Sequence, residues 1–204
     1  MCGSEPVQTM PALPPFYLIT PEPASAARAD LDAFVARLDA AFSAGIALVQ
    51  LRVKTFDADR YAALAARVIG RARAAGARVI CNGAITPEAA RALGAAGIHL
   101  GHAALVAAAA RPVAAGLLLS AACHDRESLR HADRIGADLA TLSPVNPTLS
   151  HPGAPVLGWT RFAECVAGTR LAVYALGGMT RNDLPIARAH GAHGIAGIRG
   201  LMAE

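Results

Sequence analysis

Short apolar runs recur along the chain, separated by longer stretches in which apolar residues return with helical period. The runs fall at residues 16–20, 47–51, 78–81, 97–100, 117–120, 139–142, 172–175 and 194–196. None alternates polar with apolar positions, as expected of strands covered on both faces. Between them, Leu31, Phe34, Val35, Leu38 and Phe42 share one helical face, and Tyr61, Leu64, Ala65, Val68, Ile69 and Ala72 share another. Thr86-Pro87 offers an N-cap and a first-turn proline, Thr180 to Asp183 has capping-box spacing, and Asp57 and Asp125 stand where the second and fifth helices need caps. Gly45, Gly76, Gly94, Gly136 and Gly191 each close a helical stretch just before the next strand.

This eightfold punctuation, with few hairpin signals, predicts a parallel sheet with helices around it. At 204 residues the fold class expected is α/β, a single (β/α)₈ TIM barrel over 16–204 with short loops. An open doubly wound sheet is the alternative, but no G-x-G-x-x-G follows Thr20 to support a dinucleotide-binding version. Residues 1–15 hold Pro6, Pro11, Pro14 and Pro15 without any period and read as an N-terminal extension or linker.

Composition narrows the function. No apolar run approaches the roughly 20 residues that cross a bilayer, and the N-terminus lacks the basic start and apolar core of a secretory leader. A cytoplasmic location is the expectation. The net charge of +4 comes from arginines spread singly along the helices, with Lys54 the only lysine and aromatics at 4%, so no nucleic-acid footprint forms. Cys2, Cys81, Cys123 and Cys165 lack zinc or redox spacing and read as small hydrophobes.

Chemistry gathers where a barrel would need it. Polar residues and glycines cluster at the C-terminal ends of the strands: Gln50, Arg52 and Lys54 after the second, Asn82 after the third, His99 in the fourth, His124 after the fifth, and Thr148 after the sixth. Gly177-Gly178 after the seventh strand and Gly197, Ile198, Arg199 and Gly200 after the eighth suit a phosphate held by bare backbone N–H groups, with Arg199 adding charge. His124 is placed to shuttle protons near neutral pH, although a hydrogen-bonded turn is an equal alternative. His99 also fits a core histidine, and His131, His190 and His193 fit helix-surface or turn positions. No histidine pair has metal-site spacing.

Tyr17-Leu18-Ile19-Thr20, Val49-Gln50-Leu51-Arg52 with Lys54, Ile98-His99-Leu100-Gly101, Ser143-Pro144-Val145 with Pro147-Thr148, and Ala175-Leu176-Gly177-Gly178 form an ordered set. That set resembles the thiamine-phosphate synthase family, which includes the TenI-type thiazole tautomerases. The stretch Ser150 to Trp159 further resembles a subgroup often joined to a Nudix hydrolase domain. The resemblance implies a (β/α)₈ barrel that binds a small phosphorylated heterocycle, a thiazole phosphate or thiamin phosphate. It leaves a homo-oligomer or a separate Nudix hydrolase partner open.

In the family, the synthase joins a pyrimidine diphosphate to a thiazole phosphate and holds Mg²⁺ with two aspartates. Here those positions are Gly83 and Ala104, and the family's lysine after strand six falls on His151. A departing pyrophosphate needs such charges. The resemblance therefore implies the tautomerase branch, with no metal ligands and no cofactor, His124 as the proton carrier, and Gln50, Arg52, Lys54, Asn82, His99 and Thr148 around the heterocycle. Mg²⁺ belongs only to the synthase alternative, and a non-catalytic binding domain is the third reading. Aspartates returned to positions 83 and 104 would be expected to show whether charge alone was lost.

Overall fold

The computed structural model describes residues 12–148 and 155–202. Eight strands, β1 (Phe16–Ile19), β2 (Leu48–Arg52), β3 (Arg78–Asn82), β4 (Gly97–Leu100), β5 (Leu118–Cys123), β6 (Leu139–Leu142), β7 (Ala172–Leu176) and β8 (Gly194–Gly197), run parallel in chain order. β1 pairs with β2 on one side and with β8 on the other, closing a barrel. The helices α1 (Arg28–Ser43), α2 (Ala58–Ala74), α3 (Pro87–Ala92), α4 (His102–Ala107), α5 (Arg126–Arg134), α6 (Gly158–Val166) and α7 (Leu184–Ala189) lie between successive strands. The TIM-barrel expectation holds.

The missing alternation in the strands now has its cause, because each strand buries both faces. Tyr17, Ile19, Leu48, Ile80, Leu118, Leu139, Tyr174 and Ala196 fill the interior. Leu18, Val49, Leu51, Val79, Leu119 and Val173 join a second core with Phe34, Leu38, Leu64, Val68 and Phe162 of the helices. Inside, the rings of Tyr17 and Tyr174 meet at 5.4 Å between centroids, tilted by 60°, a favoured aromatic geometry.

The chain just before β1 is tied to the N-terminal end of the barrel. The Tyr174 hydroxyl donates to the Pro14 carbonyl at 2.6 Å, and the Ile195 N–H donates to the Pro15 carbonyl at 2.9 Å. His193 Nε2 sits 2.8 Å from the Leu13 carbonyl and Arg78 donates to the Ala12 carbonyl at 2.8 Å. A Cβ at position 194 would stand 2.1 Å from the Pro15 carbonyl oxygen, so the close approach of this segment requires Gly194.

Three details depart from the sequence reading. β5 runs to Cys123 rather than ending at Ser120, because Ala121, Ala122 and Cys123 pair in register with Ala140, Thr141 and Leu142. The capping box from Thr180 to Asp183 is present, but it opens a 3₁₀ turn (Arg181–Asp183) ahead of α7. Pro185 lacks the N–H that an α-helical first turn would donate back to residue 181. Among the described residues, β8 is followed by a 3₁₀ turn (Arg199–Leu201) rather than an α-helix. No helix is long and apolar enough to cross a membrane among the described residues.

The other caps hold. Asp57 accepts from the Arg60 N–H at 2.9 Å and Thr86 from the Ala89 N–H at 3.2 Å. Asp125 accepts from the Ser128 N–H at 2.8 Å while the Ser128 hydroxyl returns to the Asp125 backbone in a full capping box. The bonds from Ser128 pull the Asp125 carboxyl below its usual range. Asp57→Ala and Asp125→Ala should each lower unfolding free energy by roughly 1 kcal/mol. Urea midpoints would measure this, with the larger shift expected at Asp125; unchanged midpoints would remove the caps from the stability account.

Candidate active site at the mouth of the barrel

Strand parity and a common end place the polar residues. Gln50 pairs with Ile80 and Arg52 with Asn82 in the β2–β3 ladder, so both polar residues of β2 share the face that turns Leu48 into the barrel. Gln50 and Asn82 are nearly inaccessible. Burial demands partners, and they form one chain. The Lys54 ammonium donates to Asn82 Oδ1, Asn82 Nδ2 donates to Gln50 Oε1 at 2.7 Å, and Gln50 Nε2 donates to the Tyr17 hydroxyl at 3.1 Å. The Tyr17 hydroxyl donates to Ser120 Oγ at 3.2 Å, which lies 2.8 Å from His99 Nδ1. Burial raises the Tyr17 phenol far above its ordinary pKa.

His99 is half-buried, and protein crowds its imidazole. Desolvation first, then the Lys54 and Arg52 charges, push its pKa down to about 3. It is therefore a neutral ring near pH 7 and not a proton reservoir. Burial and the Arg52 charge also lower the Lys54 pKa, against an opposing pull from Glu22.

Glu22, which the sequence reading missed, organises the loop after β2. It pairs with Arg52 Nη1 at 3.1 Å and accepts from the Lys54 N–H at 3.0 Å and from the Thr55 hydroxyl at 3.2 Å. The Thr20 hydroxyl adds a clasp by accepting from the Arg52 N–H at 3.0 Å. Arg52 thus reaches the mouth already oriented by a carboxylate.

His124 stands in a different environment. It follows β5 directly, is exposed, and its Nδ1 lies 2.9 Å from the Ser143 carbonyl beyond β6. A carbonyl only accepts, so Nδ1 carries the proton and Nε2 of the neutral ring keeps a free lone pair. The His102 ring, at the start of α4, packs 4.9 Å from the His124 ring.

The turns after β7 and β8 lie against each other. Gly177 and Gly178 have positive φ of 109° and 65° and crowd the Pro144–Pro147 loop, where an added Cβ would come within 2.9 Å of Pro144 Cα and 2.7 Å of the Pro147 carbonyl oxygen. A Cβ on Gly200 would stand 2.2 Å from the Met179 carbonyl oxygen. Glycine at 178 and 200 is therefore dictated by contact between turns, and Arg199 beside them is exposed. Thr148 lies at the edge of the described part of the loop after β6. His151 and residues 150–154 of the Nudix-subgroup stretch lie outside the described residues.

The positions that resemble the family's Mg²⁺ site do not fit a metal. Ala104 supplies no side-chain ligand oxygen, and an added Cβ at Gly83 would stand 2.0 Å from Cε2 of Tyr61 and 2.7 Å from the Val53 carbonyl oxygen. Tyr61 cannot easily yield. It is fully buried, donates to the Leu51 carbonyl at 2.7 Å and accepts from the Asn82 N–H at 3.0 Å. Packing as well as charge therefore bears on any return of an aspartate at position 83.

The chain Lys54–Asn82–Gln50–Tyr17–Ser120–His99 brings together Gln50, Lys54, Asn82 and His99 of the residues read from the sequence and adds Tyr17 and Ser120. Neither reads as a site residue in the sequence, because a tyrosine and a serine inside apolar strands look like core. The available signal was parity, since Ser120 falls on the same face of β5 as the interior Leu118. Cys81 and Cys123 are buried thiols, raised by desolvation to about 11 and about 12, as small core residues should be.

The His99 environment predicts a pH dependence of stability. Unfolded, the ring titrates near 6.5, and folded near about 3. Between those values the unfolded chain holds more protons, so stability is full above about pH 6.5 and falls as pH drops toward 3. His99→Gln should lower the Tm at pH 7 yet flatten its decline across this window. Equal slopes for the variant and wild type would show that the ring is not desolvated.

The model of the family "TMP-TENI: Thiamine monophosphate synthase" matches residues 16–201. The chain is 36% identical over 191 residues to a putative thiamine-phosphate synthase of Geobacter sulfurreducens, covering 92% of this chain and 86% of the relative. It is 32% identical over 189 residues to a thiamine-phosphate synthase of Thermus thermophilus, covering 92% and 88%. The thiamine phosphate pyrophosphorylase structure from Pyrococcus furiosus superposes with a TM-score of 0.72 at 24% identity, covering 90% of this chain and 84% of that one, which supports the shared fold. With the barrel, the strand-end motifs and the family match in agreement, the chain belongs to the thiamine-phosphate synthase family, the TMP-TENI barrels of thiamin biosynthesis.

Proposed function

We propose that this barrel binds a thiazole phosphate and catalyses its tautomerisation, with His124 moving the proton. The observation that carries the reading is the His124 tautomer: Nδ1 is committed to the Ser143 carbonyl, leaving a basic Nε2 at an exposed position. In this role Nε2 takes a proton from the non-aromatic thiazole tautomer and returns it where the aromatic ring is completed. Such proton transfer needs a base within reach of the moving proton, not a metal. Gln50, Arg52, Lys54, Asn82, His99 and Thr148 orient the heterocycle. The turns at Gly177-Gly178 and Ile198-Arg199-Gly200 hold the phosphate, where backbone N–H groups and a guanidinium match its charge.

The test is turnover of the thiazole carboxylate phosphate tautomer by the wild type and His124→Ala. Loss of about 10²–10⁴-fold in kcat, with thiazole phosphate affinity nearly kept, is expected. Unchanged turnover would remove His124 from the chemistry and point to His102, whose ring touches it.

The names of the relatives favour a second reading, in which the barrel couples a pyrimidine diphosphate to the thiazole phosphate. Magnesium-dependent thiamin phosphate formation by the wild type would establish it and overturn the first. On the tautomerase reading the wild type forms none. The Gly83→Asp, Ala104→Asp double variant forms none either, and is destabilised by about 1–3 kcal/mol because the new side chain overpacks against Tyr61. Product from that double variant would show that Tyr61 gives way and that charge alone was missing.

A further inference from the structure

The polar chain across the barrel has a direction, and the direction decides where His99 carries its proton. Lys54 stands at one end. An ammonium has three N–H donors and no acceptor, so Asn82 must turn Oδ1 toward it. The amide of Asn82 then faces Gln50 with its NH₂, and Gln50 must present Oε1. Gln50 in turn has only its own NH₂ left for Tyr17, whose hydroxyl oxygen accepts. Having accepted there, the Tyr17 hydroxyl spends its single proton on Ser120 Oγ. Ser120 is completely buried and has one proton to give, and the neighbour 2.8 Å away is His99 Nδ1.

We infer that Tyr17 and Ser120 are positioning residues that hold His99 as a neutral imidazole with Nδ1 accepting and Nε2–H free to donate to the ligand. That Nε2–H serves a thiazole phosphate rests on the reading proposed above. No proton travels along the chain, because the amides of Asn82 and Gln50 do not relay protons. The chain transmits orientation only. Each link is fixed by what its predecessor can offer, and reversing it would set two donors or two acceptors face to face inside the barrel, a costly arrangement in low dielectric.

The consequence is a division of labour between two histidines on neighbouring strands. His124 exposes a lone pair on Nε2 because its Nδ1 donates to the Ser143 carbonyl. His99 carries its N–H on Nε2 because its Nδ1 accepts. A base and a neutral hydrogen-bond donor are thereby set at one mouth by opposite second partners. Desolvation keeps His99 from taking up a second proton and becoming a competing acid.

The tautomer can be read directly. Nitrogen-15 NMR of protein labelled at histidine, with the His99 signals assigned from His99→Gln, separates a protonated from a bare ring nitrogen. The wild type at pH 7 is expected to show Nδ1 bare and Nε2 protonated. Tyr17→Phe removes the proton that points Ser120 toward His99 and should give a mixture of tautomers. Ser120→Ala, which strips Nδ1 of its partner, should do the same. Calorimetry with thiazole phosphate should then show about tenfold weaker binding in each variant, the worth of one oriented hydrogen bond, with thermal melts confirming that each remains folded.

A wild-type His99 with its proton on Nδ1 would overturn the inference. So would a folded Tyr17→Phe that keeps the wild-type tautomer and affinity. If Ser120→Ala does not fold, the wild-type and Tyr17→Phe spectra still decide. The inferred tautomer in a wild type that does not bind thiazole phosphate would leave the positioning roles standing and sink the proposed substrate instead.

Discussion

The hydrogen-bonded seam between β1 and β8 is the constraint on which the rest depends. Once it closes, no strand has a free edge and every strand has one face turned into an interior that eight strands leave just wide enough for side chains. That interior must be filled, and its lower part is filled by Tyr17, Tyr174, Leu48, Leu118 and Leu139. Because all strands run parallel, all of their C-terminal ends open on one side. Residues far apart in sequence thus share a single mouth without any loop having to travel.

Closure also sets the terms for polar residues near that mouth. Gln50, Asn82, Tyr17 and Ser120 cannot reach bulk water, so they must satisfy one another, and among the described residues no buried side-chain polar atom is left without a partner. A network satisfied in this way is stiff, since loss of one member strands its neighbours. The two histidines at the ends of β4 and β5 stand in different surroundings. The ring of His99 is crowded by protein and by two cations, whereas His124 sits exposed on the rim and is anchored by a carbonyl. Residue type is the same. Only the surroundings differ.

The corner around position 83 is set by packing. Tyr61 bridges β2 and β3 through the Leu51 carbonyl and the Asn82 N–H, and its ring fills the space a side chain at position 83 would need. The same tyrosine positions the backbone of Asn82, a member of the polar chain. Glycine at 83 is therefore part of a tightly packed corner in which a buried ring leaves no room for a side chain.

The sequence by itself determined the architecture. Eight apolar runs, helical faces such as Phe34, Leu38 and Phe42, caps at Asp57, Thr86 and Asp125, and closing glycines are local signals, since each acts within a few residues of itself. Strand-end position likewise marked Gln50, Arg52, Asn82 and His124, because a parallel barrel sends those ends to one side. Only the tertiary structure decided what the residues do to one another. Tyr17 meets Gln50 and Ser120 across 33 and 103 positions of chain, and Glu22 meets Arg52 across 30. A hydrogen-bond direction, a tautomer or a filled Cβ space exists only between such partners. Local periodicity carries no trace of them, because closure of the barrel creates those contacts.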